Sequence, residues 1–86
     1  MDKRKQLAEI CEKIICLDGY DDAIVGVAGS QHGIHAIYSV EKIIASLTRD
    51  MTAEEAYEYY IYTIAGLRFD ENFPIFQLMV DNLNAK

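Results

Sequence analysis

The stretch Ala23-Ile24-Val25-Gly26-Val27-Ala28-Gly29-Ser30-Gln31-His32-Gly33-Ile34-His35-Ala36-Ile37-Tyr38 decides the fold. Its two apolar segments, Ile24 to Ala28 and Ile34 to Tyr38, are too short for helices and rich in β-branched residues. Between them stands the turn-forming cluster Gly29-Ser30-Gln31-His32-Gly33, and a five-residue, glycine-flanked connection predicts a β-hairpin. The first segment is a continuous apolar run, which predicts a strand buried on both faces. The second alternates in part.

On the C-terminal side Ser39 offers an N-cap, and Val40, Ile43, Ile44 and Leu47 give a one-sided helix ending near Arg49-Asp50. A second helix comes almost at once, so the two should pack as an αα-hairpin. Its start is written in Met51-Thr52-Ala53-Glu54-Glu55: Thr52 can accept from the Glu55 N–H while the Glu55 carboxylate reaches back, with Met51 as the staple. Gly66 is expected to end it in the left-handed conformation. Tyr57, Tyr60, Ile61 and Ile64 fall at i, i+3, i+4 and i+7 and predict the stripe that faces the core. Farther on, Pro74 lacks an N–H and should begin or edge a strand from about Ile75 to Val80.

On the N-terminal side residues 3 to 17 predict a helix, with Leu7, Ile10, Cys11, Ile14 and Ile15 on one face, Asp2 as N-cap and Asp18-Gly19 as exit. The order is therefore α-β-β-α-α-β, an α+β domain over residues 1–86 in which a three-stranded antiparallel or mixed sheet is covered on one side by three helices. With only one face covered, apolar side chains remain on the other. A homo-oligomer or a partner is expected there.

Composition narrows the function. No apolar run approaches the roughly 18 to 20 residues of a membrane span, and no basic segment leads into an apolar one, so a cytoplasmic protein away from membranes is expected. The formal net charge is −6, and residues 50 to 71 carry Asp50, Glu54, Glu55, Glu58, Asp70 and Glu71 against Arg68 alone. Such a surface is repelled by phosphate backbones, so direct nucleic-acid binding is not expected. A protein with a basic surface is the complementary partner. The same charge also serves solubility.

The chemistry-bearing residues give no enzymatic signature. Cys11 and Cys16 are five apart on or just past a helix, beyond disulfide reach if that helix persists. Cys16 with His32 and His35 supplies zinc-type ligands, but neither spacing is the tight Cys-x2-Cys knuckle, so no metal or other cofactor is expected. Gly26, Gly29 and Gly33 lack both the Gly-Lys-Ser/Thr and the helix of a phosphate loop; turn geometry accounts for Gly29 and Gly33, and close packing on a helix for Gly26. Ser30, His32, His35, Asp21 and Asp22 are candidates for acid/base or nucleophilic work, with no triad signature around them.

The unusual feature is the tyrosines, six in all, with Tyr57, Tyr59, Tyr60 and Tyr62 on one helix. Glu55, Glu58, Tyr59 and Tyr62 keep helical spacing beside the expected core stripe. Tyrosine is favoured at protein interfaces, where it offers area at low entropy cost. Glu54, Glu55, Glu58, Tyr59 and Tyr62 are therefore the candidate partner-binding residues, although a second layer such as the first helix could equally cover the phenols.

The chain resembles a family of short proteins encoded by phages, prophages and some bacteria. The resemblance rests on Asp18-Gly19-Tyr20-Asp21-Asp22-Ala23-Ile24-Val25-Gly26, Tyr38, Met51-Thr52-Ala53-Glu54-Glu55-Ala56, Glu58-Tyr59, Ala65-Gly66 and Pro74-Ile75-Phe76. Thr63 stands where that family tends to have Asn, and Arg68-Phe69 replaces a Tyr-containing step. The resemblance implies a phage-type origin and assigns no catalytic residue. By analogy with other small acidic phage-type proteins, it implies a module that binds and blocks a host protein, defence nucleases included. The alternatives from the residues themselves are a structural homo-oligomer and a small metal- or ligand-binding protein.

Overall fold

The computed structural model describes residues 3–78. Helix α1 (Lys3–Ile10) leads through an irregular segment and a single 3-10 turn (Asp21–Ala23) into β1 (Ile24–Ser30) and β2 (Gly33–Ser39). Helices α2 (Val40–Leu47) and α3 (Ala53–Tyr59) come next, α3 running on into a π turn (Tyr60–Ile64), and β3 (Ile75–Gln77) closes the order α-β-β-α-α-β. The sheet has the order β1-β2-β3. β1 is antiparallel to β2 and β3 parallel to it, so the sheet is mixed.

Register separates the two faces of the sheet. Ile24 lies opposite Tyr38, and Tyr38 opposite Phe76, while a bulge between Ile24 and Gly26 shifts the pairing of the rest of β1. Ile24, Ala36 and Tyr38 join Leu7 of α1, Val40 and Ile43 of α2, and Tyr60 and Ile64 of the π turn in one core. Phe76 packs between two phenols, 6.1 Å from the Tyr38 ring and edge-on at 5.6 Å to Tyr60. The other face carries Gly26, Ala28, Ile37 and Ile75, all half-buried. The strand expected to be buried on both sides is fully buried on neither: only Ile24 is buried, Gly26 and Ala28 are half-buried, and Val25 is 46% and Val27 39% exposed. A short apolar run does not reveal how many layers will cover it.

Helix α1 stops at Ile10 rather than reaching residue 17, and Ile10 itself is 57% exposed. The backbone beyond is claimed by distant groups: Ile15 N–H donates to the Asn72 carbonyl at 3.3 Å, and Leu17 N–H to the Tyr38 hydroxyl at 2.8 Å. Ile14, Cys16, Leu17 and Tyr20 pack on the core from this irregular strap. Arg4 then ties the strap to α1, its Nη2 2.6 Å from Asp18 and its Nε 2.9 Å from Asp21. Those two carboxylates hold the guanidinium pKa above its ordinary value, the hydrogen bond it donates to Asp18 contributing most.

The hairpin connection is also tighter than its glycines suggest. β1 runs to Ser30 and pairs with Gly33, leaving Gln31 and His32 as the turn. Gly33 holds φ +114°, and a Cβ there would collide with the Asn72 side-chain amide. Gly29 lies within β1 rather than in the turn, and Gly26 faces Ile37 of the neighbouring strand rather than a helix.

Both cap signals after the hairpin are realised. The Ser39 hydroxyl accepts from Lys42 N–H at 3.2 Å, and Thr52 and Glu55 form a reciprocal capping box at 3.1 and 2.9 Å. Pro74 stands immediately before β3, as its missing donor requires. Asp2 and the part of the expected last strand at Met79 and Val80 lie outside the described residues.

Candidate functional site

Two reciprocal hydrogen bonds fix where α3 begins, and an i→i+5 bond from Ala65 N–H to the Tyr60 carbonyl at 2.8 Å fixes how it ends. A π turn holds more residues per turn than an α-helix and rotates the side chains beyond it. The buried line is Ala56, Tyr60 and Ile64, each four residues on from the last. This corrects the stripe expected from the sequence: Tyr60 and Ile64 belong to the core, whereas Tyr57 is 53% and Ile61 38% exposed. Gly66 does not take up the left-handed conformation expected of it. Its small size serves a close approach instead, since a Cβ would lie 3.2 Å from the Tyr62 carbonyl oxygen.

The rest of the helix faces outward. Tyr62 is 82% exposed and Tyr59 41%, the latter lying near Tyr20 of the strap, and Glu54, Glu55 and Glu58 are exposed with them. One oxygen of Glu55 is engaged by the Thr52 N–H, and its charge stays in place at the first turn. The surface therefore joins three carboxylates to three phenols and one isoleucine, with Tyr60 beneath it stacked 6.3 Å from Tyr57. Burial, with smaller contributions from Tyr57 and Glu41, raises the Tyr60 phenol pKa. Tyr57 and Ile61 were the members of this face that an ideal helical spacing misassigned.

The acid/base candidates are brought together only in part. His35 is 1% exposed, stacked 4.2 Å from Phe73, with Nδ1 2.8 Å from the Phe73 carbonyl and Nε2 2.6 Å from Ser30 Oγ. A carbonyl only accepts, so Nδ1 carries the proton and the Ser30 hydroxyl donates to Nε2. Ser30 in turn accepts from His32 N–H at 3.0 Å. The arrangement locks the turn to the chain before β3. His32 itself is exposed at the turn, and Asp21 is held by Arg4. Cys16 sits beside the Tyr38 hydroxyl in the strap, and Cys11 Sγ lies 3.7 Å from Asn72 Oδ1. Among the described residues no three His, Cys, Asp or Glu side chains converge as a metal site would need.

No described helix is long and apolar enough to cross a membrane. The chain matches no family model, no curated protein and no solved structure.

Proposed function

We propose that the chain is a non-enzymatic binding module whose α3 face engages a basic surface on another protein in the cytoplasm. The observation that carries this reading is Tyr62, 82% exposed on a helix whose neighbouring outward positions are Tyr57, Tyr59, Glu54, Glu55 and Glu58. Aromatic side chains left in water beside carboxylates offer apolar area with a directional rim of acceptors, the composition of an interface. A basic surface that itself holds nucleic acid is the complementary target, which this chain would occupy and block. Its phage-type resemblance supports the same reading. Capture by the immobilised chain at low and high salt tests it. A partner with a basic patch should be retained at low salt, released at high salt, and lost from Glu54→Lys/Glu58→Lys and from Tyr62→Ala. Retention of the same protein by the charge-reversed variant would overturn the assignment.

A second reading, a homo-oligomer through the open sheet face, is favoured by the half-buried Gly26, Ala28, Ile37 and Ile75 that line it. A second copy burying this face would leave α3 outward, so the two readings are compatible. Light scattering after size exclusion should give a dimer mass that persists at high salt, because the contact is apolar. Ile37→Glu should give the monomer mass. A monomer at all concentrations in the parent chain would rule this assembly out.

A further inference from the structure

A cleft of about 360 Å³ opens between the strap and α2, lined among others by Tyr20, Asp22, Lys42, Ser46 and Arg49. Its size falls in the range of small-molecule sites. The polar groups that line it share one property. Among the described residues the side chains of Lys42 and Arg49 form no ion pair, and the hydroxyls of Ser46 and Tyr20 make no hydrogen bond. Lys3 is engaged by the Ile24 carbonyl, Arg4 by Asp18 and Asp21 and Arg68 by the carbonyls of Ala65 and Leu67, while Lys13, outside any described ion pair, lies away from the cleft. In a chain of net charge −6, two cations outside any described ion pair thus share one concavity.

Local structure explains the convergence. Lys42, Ser46 and Arg49 are spaced i, i+4 and i+7 from the start of α2 into the turn after it, so they project toward the same side. The opposite wall is the turn at Gly19 and Tyr20, where Gly19 holds φ +89° and Arg4 anchors Asp18 and Asp21 on either side. Arg4 also engages those two carboxylates and offsets one of their two charges, and Asp22 is the acceptor in the cleft wall. Burial, together with the nearby Tyr59 phenol, raises the Tyr20 pKa above its ordinary value, which already leaves the hydroxyl protonated at neutral pH.

We propose that this cleft binds a small phosphate monoester that also carries hydroxyl groups. Lys42 and Arg49 hold the phosphate by charge-assisted hydrogen bonds, Arg49 through its planar fork, and Ser46 adds a neutral donor. Asp22 accepts from the ligand hydroxyls, and Tyr20 closes the wall beside them. The cleft adjoins the α3 face at Tyr20 and Tyr59 but shares no lining residue with it, and it does not depend on the partner proposed there.

The test is calorimetric titration of the full chain with ribose 5-phosphate, with inorganic phosphate and ribose as partial probes. Ribose 5-phosphate should bind saturably and more tightly than inorganic phosphate, with ribose alone weakest. Lys42→Ala and Arg49→Ala should each weaken ribose 5-phosphate by roughly tenfold, the loss of one charge-assisted contact. Asp22→Asn should weaken ribose 5-phosphate while leaving inorganic phosphate unchanged. Backbone amide shifts of the unaltered protein supply a readout independent of any variant, and those of Gly19, Ser46 and Arg49 should move together. Absence of saturable binding, binding retained by Lys42→Ala/Arg49→Ala, or shifts elsewhere on the chain would overturn the site. Equal affinity for inorganic phosphate and ribose 5-phosphate would overturn the ester assignment.

Discussion

Asn72 links three separate parts of the described chain. It sits at φ 55°, 9% exposed, with its amide oxygen accepting from Ile34 N–H at 3.0 Å, its N–H donating to the His32 carbonyl at 2.9 Å and its own carbonyl accepting from Ile15. It thereby joins the hairpin, the strap and the approach to β3. Asparagine suits the position because it tolerates the left-handed region and carries a side-chain acceptor. Asn72→Gly keeps the backbone conformation and loses the acceptor, and should cost about 1–3 kcal/mol for the orphaned Ile34 N–H. Asn72→Ala should cost about 1 kcal/mol more, because alanine must also be forced into φ > 0. Urea unfolding of the two variants separates these contributions. Nothing near Asn72 in the sequence announces this role, since each of its partners lies 38 or more residues away.

The elements written by local rules were legible, and those shaped by distant contacts were not. The capping box at Thr52 and Glu55 needs only residues three apart, so its signature sufficed, as did the Ser39 cap and the apolar period of α2. The end of α1 is set by Asn72 and Tyr38, and apolar spacing through Ile15 therefore overran it. The candidate face was legible in Glu54, Glu55, Glu58, Tyr59 and Tyr62. Ile61 was assigned inward because the π turn departs from the period on which the assignment relied, whereas Tyr57 precedes that turn and was assigned one position off Ala56, the residue that α3 buries. Thr52→Ala removes the acceptor for Glu55 N–H and should destabilise the chain by about 1 kcal/mol. Faster amide exchange at Glu55 than at α2 positions would locate the loss in α3.

For the whole molecule, alkaline stability reports how well the core excludes water. Tyr38 is fully buried, and burial, opposed in part by the Leu17 N–H and reinforced by Cys16, pushes its phenol up to about 12 from 10.0. A folded pKa above the unfolded one leaves stability unchanged below pH 10, where both states hold the proton. Between about pH 10 and 12 the unfolded chain ionises first, and stability falls by an amount approaching 2–3 kcal/mol. Tyr20 and Tyr60, also raised by burial, add to the same slope. Tyr38→Phe should flatten it while lowering stability at neutral pH by about 1–3 kcal/mol, because Leu17 loses its acceptor. Unfolding midpoints measured from pH 7 to 12 check both effects.

The parallel pairing of β3 with β2 gives the chain an assembly order. β1, β2, α2 and α3 are joined to their neighbours by short connections and can condense early, whereas Ile75 must return to Ile37 across two helices before the third strand exists. Loop-closure entropy places that step late. Until it occurs, Tyr38 and Tyr60 lack the Phe76 ring between them and the Ile34 N–H lacks the oxygen of Asn72. On a ribosome, the last dozen or so described residues would complete a half-built sheet whose open edge is for that interval able to pair with another nascent copy.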